Sequence, residues 1–319
     1  MPLLDMPLEQ LKTYQGRNPR PADFDAFWDK NLAEMRAVEP RVEIVPSDFQ
    51  TPFARCGDLY FTGVGGARVH ARLLQPVNAP APHPAVLMFH GYSGSGGDFA
   101  DKLSYAAMGY TVAALDCRGQ GGQSEDVGGV TGTTLNGHII RGLDGPPEKM
   151  LFVQNFLDTA QLARIVMDMP DVDASRVGAF GGSQGGGLTL ACTALEPRIK
   201  LSAPVFPFLC DYLRVWEMDM ARRAYDELRI FFRNFDPLHR RENEIFTKLG
   251  YIDVQFLAPR IKAEVYMGVG LMDDICPPST QFAVFNNIRS PKTAEIYPDF
   301  GHEGLPGFND IAFDFLLGL

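Results

Sequence analysis

A rhythm of short apolar runs in the second part of the chain most constrains its fold. The runs are separated by longer segments with helical spacing, which is typical of βαβ units in a parallel sheet. They are Ala85 to Phe89, Thr111 to Leu115, Arg176 to Phe180, Leu201 to Val205, Ala263 to Val269 and Thr293 to Tyr297. Each run ends at Gly, Asp, His or Ser. Ligands bind at the carboxyl ends of strands in such sheets, so we expect the functional residues there.

The N-terminal part of the chain predicts a helix followed by antiparallel strands. Apolar residues recur at helical spacing from Pro21 to Val38, and Pro40 then ends the helix. The extended runs Leu59 to Gly63 and Val69 to Leu74 are joined through glycines and predict a hairpin. The expected fold class is therefore α/β, with a central sheet that is mostly parallel and helices on both faces.

The rhythm of strands breaks between Phe206 and Arg260. These residues have a helical pattern without a new strand, which predicts a helical cap inserted over about 207–260. A closing helix is expected from Phe308 to Leu319. We therefore expect a single catalytic domain over residues 1–319, with an N-terminal helical extension over residues 1–40.

Composition and charge narrow the class of protein. Of the 319 residues 45% are hydrophobic and 21% are charged, which is typical of a folded soluble protein, and the formal net charge is −10. A negative chain is poorly suited to nucleic acid or to an anionic membrane. The N-terminus lacks the pattern of a secretory signal, so we expect a cytoplasmic protein. Five scattered cysteines predict reduced thiols, and we predict neither a metal site nor a cofactor.

The strongest motif is the segment Gly181-Gly182-Ser183-Gln184-Gly185. It follows the strand-like run RVGAF and precedes the helix-like run GLTLACTAL. That context is typical of a nucleophile elbow, in which glycines flank a serine whose backbone is strained. An ordinary glycine-rich turn is the alternative, which the flanking strand and helix disfavour. We therefore predict an α/β-hydrolase fold with Ser183 as the nucleophile.

A serine nucleophile needs a base, and the base needs a group that orients it. In this fold the chain order is serine, acid, histidine. Of the two histidines after the serine, His239 lies in the predicted cap and His302 follows the last strand-like run. We predict His302 as the base. Asp273 and Asp274 follow the preceding run, and Asp273, which is closer to the strand end, is the predicted acid.

Two backbone amides are expected to form an oxyanion hole. One is Gln184, after the nucleophile, and the other is Tyr92, in the loop after the first parallel strand. The alternative that His90 is catalytic is disfavoured because it precedes the serine in the chain. The glycine-rich turn over 116–122 lacks the lysine of a phosphate-binding loop, and we expect it to support the rim of the site. Within that turn, Arg118 is expected to pair with a carboxylate of the cap.

These motifs together resemble the acetyl xylan esterase and cephalosporin C deacetylase family, carbohydrate esterase family seven. The resemblance extends along the chain and rests on ADFDAFW, HGYSG, DCRGQGG, GGSQGG, PFLC, GLMDDICPPST and GHEG. It implies intracellular removal of acetyl groups from short acetylated xylo-oligosaccharides, tolerance of acetylated cephalosporins, and a hexamer. It also implies Ser183, Asp273 and His302 as catalytic residues, with Tyr92 and Gln184 as the oxyanion amides.

Two questions remain open at this level. Phe206 and Phe208, with Tyr92, either form a small acyl pocket that favours acetate or belong to the core. The activity is either that of this family, that of a general carboxylesterase or peptidase of the same fold, or absent in a noncatalytic binding module. The presence of all three catalytic residue types at strand ends favours an enzyme.

Overall fold

The computed structural model describes residues 4–127, 129–131 and 134–319, so the first three residues of the predicted N-terminal extension lie outside the described part. The strands are β1 (Glu43–Pro46), β2 (Ala54–Thr62), β3 (Arg68–Pro76), β4 (His83–Phe89), β5 (Thr111–Leu115), β6 (Glu125–Asp126), β7 (Val130–Thr131), β8 (Val172–Gly182), β9 (Leu201–Val205), β10 (Glu264–Gly270) and β11 (Lys292–Tyr297). The helices are α1 (Leu8–Leu11), α2 (Phe24–Ala37), α3 (Leu103–Ala107), α4 (Leu151–Met167), α5 (Gln184–Leu195), α6 (Tyr212–Glu217), α7 (Asp226–Phe235), α8 (Glu242–Leu249), α9 (Val254–Leu257), α10 (Pro278–Asn287) and α11 (Phe308–Leu316).

Nine of the strands form one sheet in the order β1-β2-β3-β5-β4-β8-β9-β10-β11. Strands β4, β5 and β8 to β11 pair in parallel, and β1 to β3 add an antiparallel edge. Strands β6 and β7 form a separate ribbon. This is the α/β-hydrolase fold, and it confirms the predicted fold class. Parallel strands covered on both faces are near-continuously apolar, which is why the runs were visible in the sequence.

The residues of β4 alternate between two hydrophobic cores on the two faces of the sheet. Ala85, Leu87 and Phe89 belong to a large core that includes buried residues of α2, α4 and α5. Val86 belongs to a second core, with buried residues of α3 and α11. Helices therefore cover both faces, as predicted. With both faces buried, the carboxyl ends of the strands are the accessible edge for chemistry.

For the elements outside the parallel strands, the type of element was predicted from the sequence better than its ends were. Helix α2 begins three residues later than predicted, since Asp23 has non-helical backbone angles. Strand β1 was not predicted; all four of its residues are exposed, so it has no buried apolar face. Between β9 and β10, where every residue is described, the chain forms α6 to α9 and short 3-10 turns, with no strand.

Candidate active site

Ser183 stands at the sharp turn between β8 and α5. Its backbone angles, φ 58° and ψ −121°, are strained for a residue with a side chain. Neighbouring backbone holds this conformation, since the Ser183 amide donates to the Val205 carbonyl at 2.9 Å. The Ser183 carbonyl accepts from the amides of Gly187 at 3.1 Å and Phe208 at 2.9 Å. The strained turn is thus fixed from both sides.

The flanking glycines are required because neighbouring backbone is too close for a Cβ atom. A Cβ on Gly181 would lie 2.6 Å from the carbonyl oxygen of Gly185 and 2.7 Å from that of Phe89. A Cβ on Gly185 would lie 2.8 Å from the carbonyl carbon of Phe89. Gly182 differs, since its Cβ would meet only side-chain atoms at ordinary contact distances, the Phe206 ring at 3.5 Å and the Val205 Cβ at 3.7 Å. The steric requirement for glycine, which the nucleophile-elbow motif implies, therefore applies at Gly181 and Gly185.

The structure brings Ser183, His302 and Asp273 together in one chain of hydrogen bonds. His302 Nδ1 lies 2.8 Å from Asp273 Oδ2, and His302 Nε2 lies 2.9 Å from Ser183 Oγ. An ionised carboxylate can only accept hydrogen bonds, so Nδ1 carries the ring proton and donates a hydrogen bond to Asp273. Nε2 is then the free acceptor for the Ser183 hydroxyl. This arrangement can activate a serine as a nucleophile.

Asp273, and not Asp274, occupies the position beside the imidazole. Asp273 is fully buried, and its Oδ1 accepts from the amides of Ile275 at 2.9 Å and Cys276 at 2.8 Å. Asp274 is exposed. These two amide bonds orient the Asp273 carboxylate so that its second oxygen faces His302.

Cys276 adds a thiol to this group. The donor atoms of Asp273, Cys276 and His302 all lie within 4.8 Å of one another, and they are of the types that zinc binds. Two of the three already bond to each other, so the group has a sufficient explanation without a metal. Burial raises the pKa of the Cys276 thiol well above its usual range, with the Asp273 charge adding to the effect, which keeps the thiol protonated and unreactive.

The two backbone amides predicted to form the oxyanion hole belong to segments that begin after β8 and after β4. Gln184 begins α5 directly after the serine, and Tyr92 lies in the loop after β4. Within residues 4–127, 129–131 and 134–319, neither amide donates to a protein acceptor. A buried side chain joins the two segments: Gln120 Oε1 accepts from the Ser93 amide at 2.9 Å, and the amide groups of Gln120 and Gln184 lie 2.9 Å apart. The 116–122 turn therefore supports the rim of the site, as expected.

The other two candidate histidines have structural environments. His90 Nε2 accepts from the Cys117 amide at 3.0 Å, and its Nδ1 lies 2.7 Å from the Gly91 carbonyl. Burial lowers the pKa of His90, so it is held as a neutral ring. His239 is exposed in the helical insertion and contacts Glu242 at 3.1 Å. Neither bonds to the serine.

The prediction that Arg118 pairs with a carboxylate of the cap is wrong. Arg118 pairs with Asp158 of α4, through two hydrogen bonds of 2.5 and 2.7 Å, and not with a carboxylate of the insertion. It also donates to the Val64 carbonyl at 3.0 Å. Both charged groups are fully buried, which favours the planar guanidinium with its bidentate geometry. Arg118 thus fastens the 116–122 turn to the helix layer beneath the sheet.

The two phenylalanines of the predicted acyl pocket have different surroundings. Phe206 is half-buried, and its ring centroid lies 4.6 Å from that of His302. Phe208 is fully buried and packs against Tyr225 at 4.3 Å and Tyr92 at 5.8 Å. Phe206 therefore lies beside His302, and Phe208 supports Tyr92 from the core.

Two residues that the sequence did not single out lie close to the Tyr92 loop. His138 is fully buried, and its Nε2 lies 3.0 Å from Ser93 Oγ. Glu227 of α7 is 1% exposed and accepts from the amides of Ile139 at 2.6 Å and Ile140 at 3.3 Å. No periodic pattern or motif marks either residue.

Within the described residues, the structure has no helix that is both long and apolar enough to cross a membrane.

This chain is similar to known proteins over more than 90% of its length. The crystal structure of acetyl xylan esterase 1 from Thermoanaerobacterium sp. JW/SL YS485 has a TM-score of 0.95 and 60% identity, with 99% of each chain covered. The acetyl xylan esterase from Paenibacillus sp. R4 has a TM-score of 0.91 and 36% identity, covering 98% of this chain and 99% of that chain. The acetyl esterase Axe7A of Xylanibacter ruminicola is 29% identical in an alignment of 301 residues that covers 91% of this chain. The chain spans only 64% of the length of that curated relative.

The family model described as acetyl xylan esterase (AXE1) matches residues 1–319. The chain therefore belongs to the acetyl xylan esterase family.

Proposed function

We propose that this chain is a serine esterase that removes acetyl groups from O-acetylated xylo-oligosaccharides and related small acetyl esters, including cephalosporin C. The observation that carries the proposal is the hydrogen-bonded chain from Ser183 through His302 to Asp273, in a member of the acetyl xylan esterase family. The names of the relatives support an acetylated, xylan-derived substrate.

In the proposed mechanism Ser183 Oγ attacks the acetyl carbonyl while its proton passes to His302 Nε2. Asp273 holds the imidazole in the required tautomer and stabilises the positive charge that develops. The tetrahedral oxyanion accepts hydrogen bonds from the amides of Tyr92 and Gln184. His302 then protonates the departing sugar alcohol, which leaves an acetyl-enzyme. Water repeats the sequence and releases acetate.

Phe206 is proposed to limit the size of the acyl group that the site accepts. Its ring contacts His302 and so borders the space above Ser183. A longer acyl chain would have to displace this ring. We expect nitrophenyl acetate to be hydrolysed faster than the butyrate, and the butyrate faster than the octanoate. Equal or rising rates with chain length would contradict a restrictive pocket.

The catalytic assignment is tested by replacing the serine and by changing the substrate. Ser183→Ala should abolish hydrolysis of acetylated xylo-oligosaccharide and prevent labelling by a fluorophosphonate. Ser175→Ala, an exposed position on the same strand, is the matched control and should retain both. Undiminished hydrolysis in Ser183→Ala would refute the mechanism. Efficient cleavage of peptide amides without deacetylation would favour a peptidase instead.

We also propose a hexamer and a cytoplasmic location, as the family resemblance implies. All five cysteines are buried and free, which is compatible with a reducing compartment. Analytical ultracentrifugation should give a particle of six 35.2 kDa chains. A monomer or dimer at micromolar concentration would contradict the hexamer.

A further inference from the structure

We propose that His138, anchored by Glu227, is a positioning residue that fixes the Tyr92 segment of the oxyanion hole. The inference rests on the function proposed above, because it assigns a role in placing one of the two amides. It connects the helical insertion, which carries Glu227 on α7, to the reacting groups at the edge of the sheet.

The first step is the hydrogen bonding of Ser93, the residue after Tyr92. The Ser93 hydroxyl has a single proton and donates it to the Leu135 carbonyl at 2.7 Å. Its contact with His138 Nε2 at 3.0 Å must therefore be one in which the imidazole donates. Ser93 has a φ of 57°, in the left-handed region that a serine seldom adopts. External bonds to its side chain are what hold such a conformation in place.

The second step is the state of the His138 ring. The ring is fully buried, and desolvation, with the nearby Arg141 charge as a lesser cause, lowers its pKa to about 4. His138 is therefore neutral at physiological pH, with its one proton on Nε2, facing Ser93. The ring also packs against Tyr92, with the centroids 4.8 Å apart. His138 thus contacts both Tyr92 and its neighbour.

The third step is the anchor. Glu227 Oε2 accepts from the amides of Ile139 and Ile140, the two residues that follow His138. The carboxyl group and Ile139 are buried, so without Glu227 the Ile139 amide would lose its acceptor in a place that water does not reach, and the half-buried Ile140 amide would lose its acceptor as well. The turn that carries His138 is therefore fixed by a side chain of α7. A shift of α7 would move His138, and with it Ser93 and Tyr92.

The consequence is a kinetic one. An oxyanion donor acts mainly in the transition state, and losing one costs about 10² to 10³-fold in kcat. A misplacement of about 1 Å can cost 10²-fold. Loosening the Tyr92 segment should therefore lower kcat by about 10 to 100-fold, while KM changes less than about threefold.

The test compares two replacements of His138. His138→Phe keeps an aromatic ring against Tyr92 and removes the N–H donor, so it should lower kcat by the amount given above. His138→Gln places an amide N–H near the position of Nε2 and should restore most of the loss. His239→Gln, at an exposed histidine of the insertion, is the control and should leave kcat unchanged. The substrate is nitrophenyl acetate, and the initial rate of fluorophosphonate labelling of Ser183 is a second readout.

The anchor is tested with Glu227→Leu against Glu227→Gln, which retains an acceptor oxygen. The leucine variant should lower kcat as His138→Phe does. The double variant His138→Phe/Glu227→Leu should be no slower than the slower of the two single variants, because both substitutions act through the same contact. If His138→Phe does not fold, Ser93→Ala carries the test, because it deletes the same hydrogen bond from the other end.

Two outcomes would overturn the inference. In the first, a folded His138→Phe retains kcat within twofold of the wild type. In the second, His138→Gln is as impaired as His138→Phe. Failure of the proposed function is distinguishable, since the wild type would then not hydrolyse acetyl esters and Ser183→Ala would match it.

Discussion

Replacing Gly181 by alanine should impair the enzyme by displacing both oxyanion segments together. The new Cβ would lie 2.6 Å from the Gly185 oxygen and 2.7 Å from the Phe89 oxygen. Ordinary carbon–oxygen contacts are about 3.3 Å or longer, so each oxygen must move by roughly 0.6 to 0.7 Å. Gly185 is in the first turn of α5, one residue after Gln184, and Phe89 leads into the loop of Tyr92. The two displaced carbonyls therefore belong to the two segments that carry the proposed oxyanion amides.

The expected effect has two parts. Overpacking of this size costs about 1 to 3 kcal/mol in the free energy of unfolding. Because displacements near 1 Å can cost 10²-fold in rate, kcat should fall at least about tenfold. Gly182→Ala is the matched control, since its nearest neighbours, the Phe206 ring at 3.5 Å and the Val205 Cβ at 3.7 Å, are at ordinary contact distances. Urea unfolding and kcat on nitrophenyl acetate measure both parts. The reasoning is refuted if Gly181→Ala is as stable and active as the wild type, or if Gly182→Ala is the more damaged variant.

Three other predictions follow from buried or paired carboxyl groups. Arg118→Met should lower the free energy of unfolding by about 3 to 5 kcal/mol, because it leaves Asp158 buried without its cation, and Arg118→Met/Asp158→Leu should recover part of that loss in urea titrations. Asp273→Asn should lower kcat by about 10⁴-fold through the wrong histidine tautomer, whereas Asp274→Asn should not change it; equal effects would contradict the assignment. Burial raises the pKa of Glu227 to about 7, above the unfolded value of about 4.3, so its stabilising contribution is complete below pH 4 and lost as the pH rises to 7. Between pH 5 and 8 the wild type should therefore lose about 2.5 kcal/mol more unfolding free energy than Glu227→Gln, and parallel losses would refute this.

The sequence predicted the parallel strands and the candidate catalytic groups because both depend on local patterns. Strands buried on both faces must be apolar throughout, and the residues that follow them must reach one edge of the sheet. Ser183, Asp273 and His302 each follow such a run, so their meeting could be inferred without coordinates. Strand β1 has no buried face, and its pairing with β2 uses backbone groups alone, which leave no pattern in the residue types.

Contacts between distant segments were the part that could not be predicted. Arg118 could have paired with any carboxylate near the rim, and only the packing of α4 selects Asp158. The contact between His138 and Ser93 joins two loops without regular structure. Glu227 binds backbone N–H groups, which every residue except proline has, so the sequence around Ile139 contains no signal for it. These contacts depend on tertiary packing and not on residue periodicity.

Because all five cysteines are buried, their reaction with a thiol reagent can be used to measure unfolding of the chain. Burial raises the pKa of each thiol, which keeps the thiolate form scarce in the folded protein. Because the cysteines are distributed over β2, the 116–122 turn, α5, the start of the insertion and the loop before α10, their modification by a thiol reagent would record which region opens first. Mass spectrometry of partly modified chains could then order these openings without a fluorescent label or an engineered site.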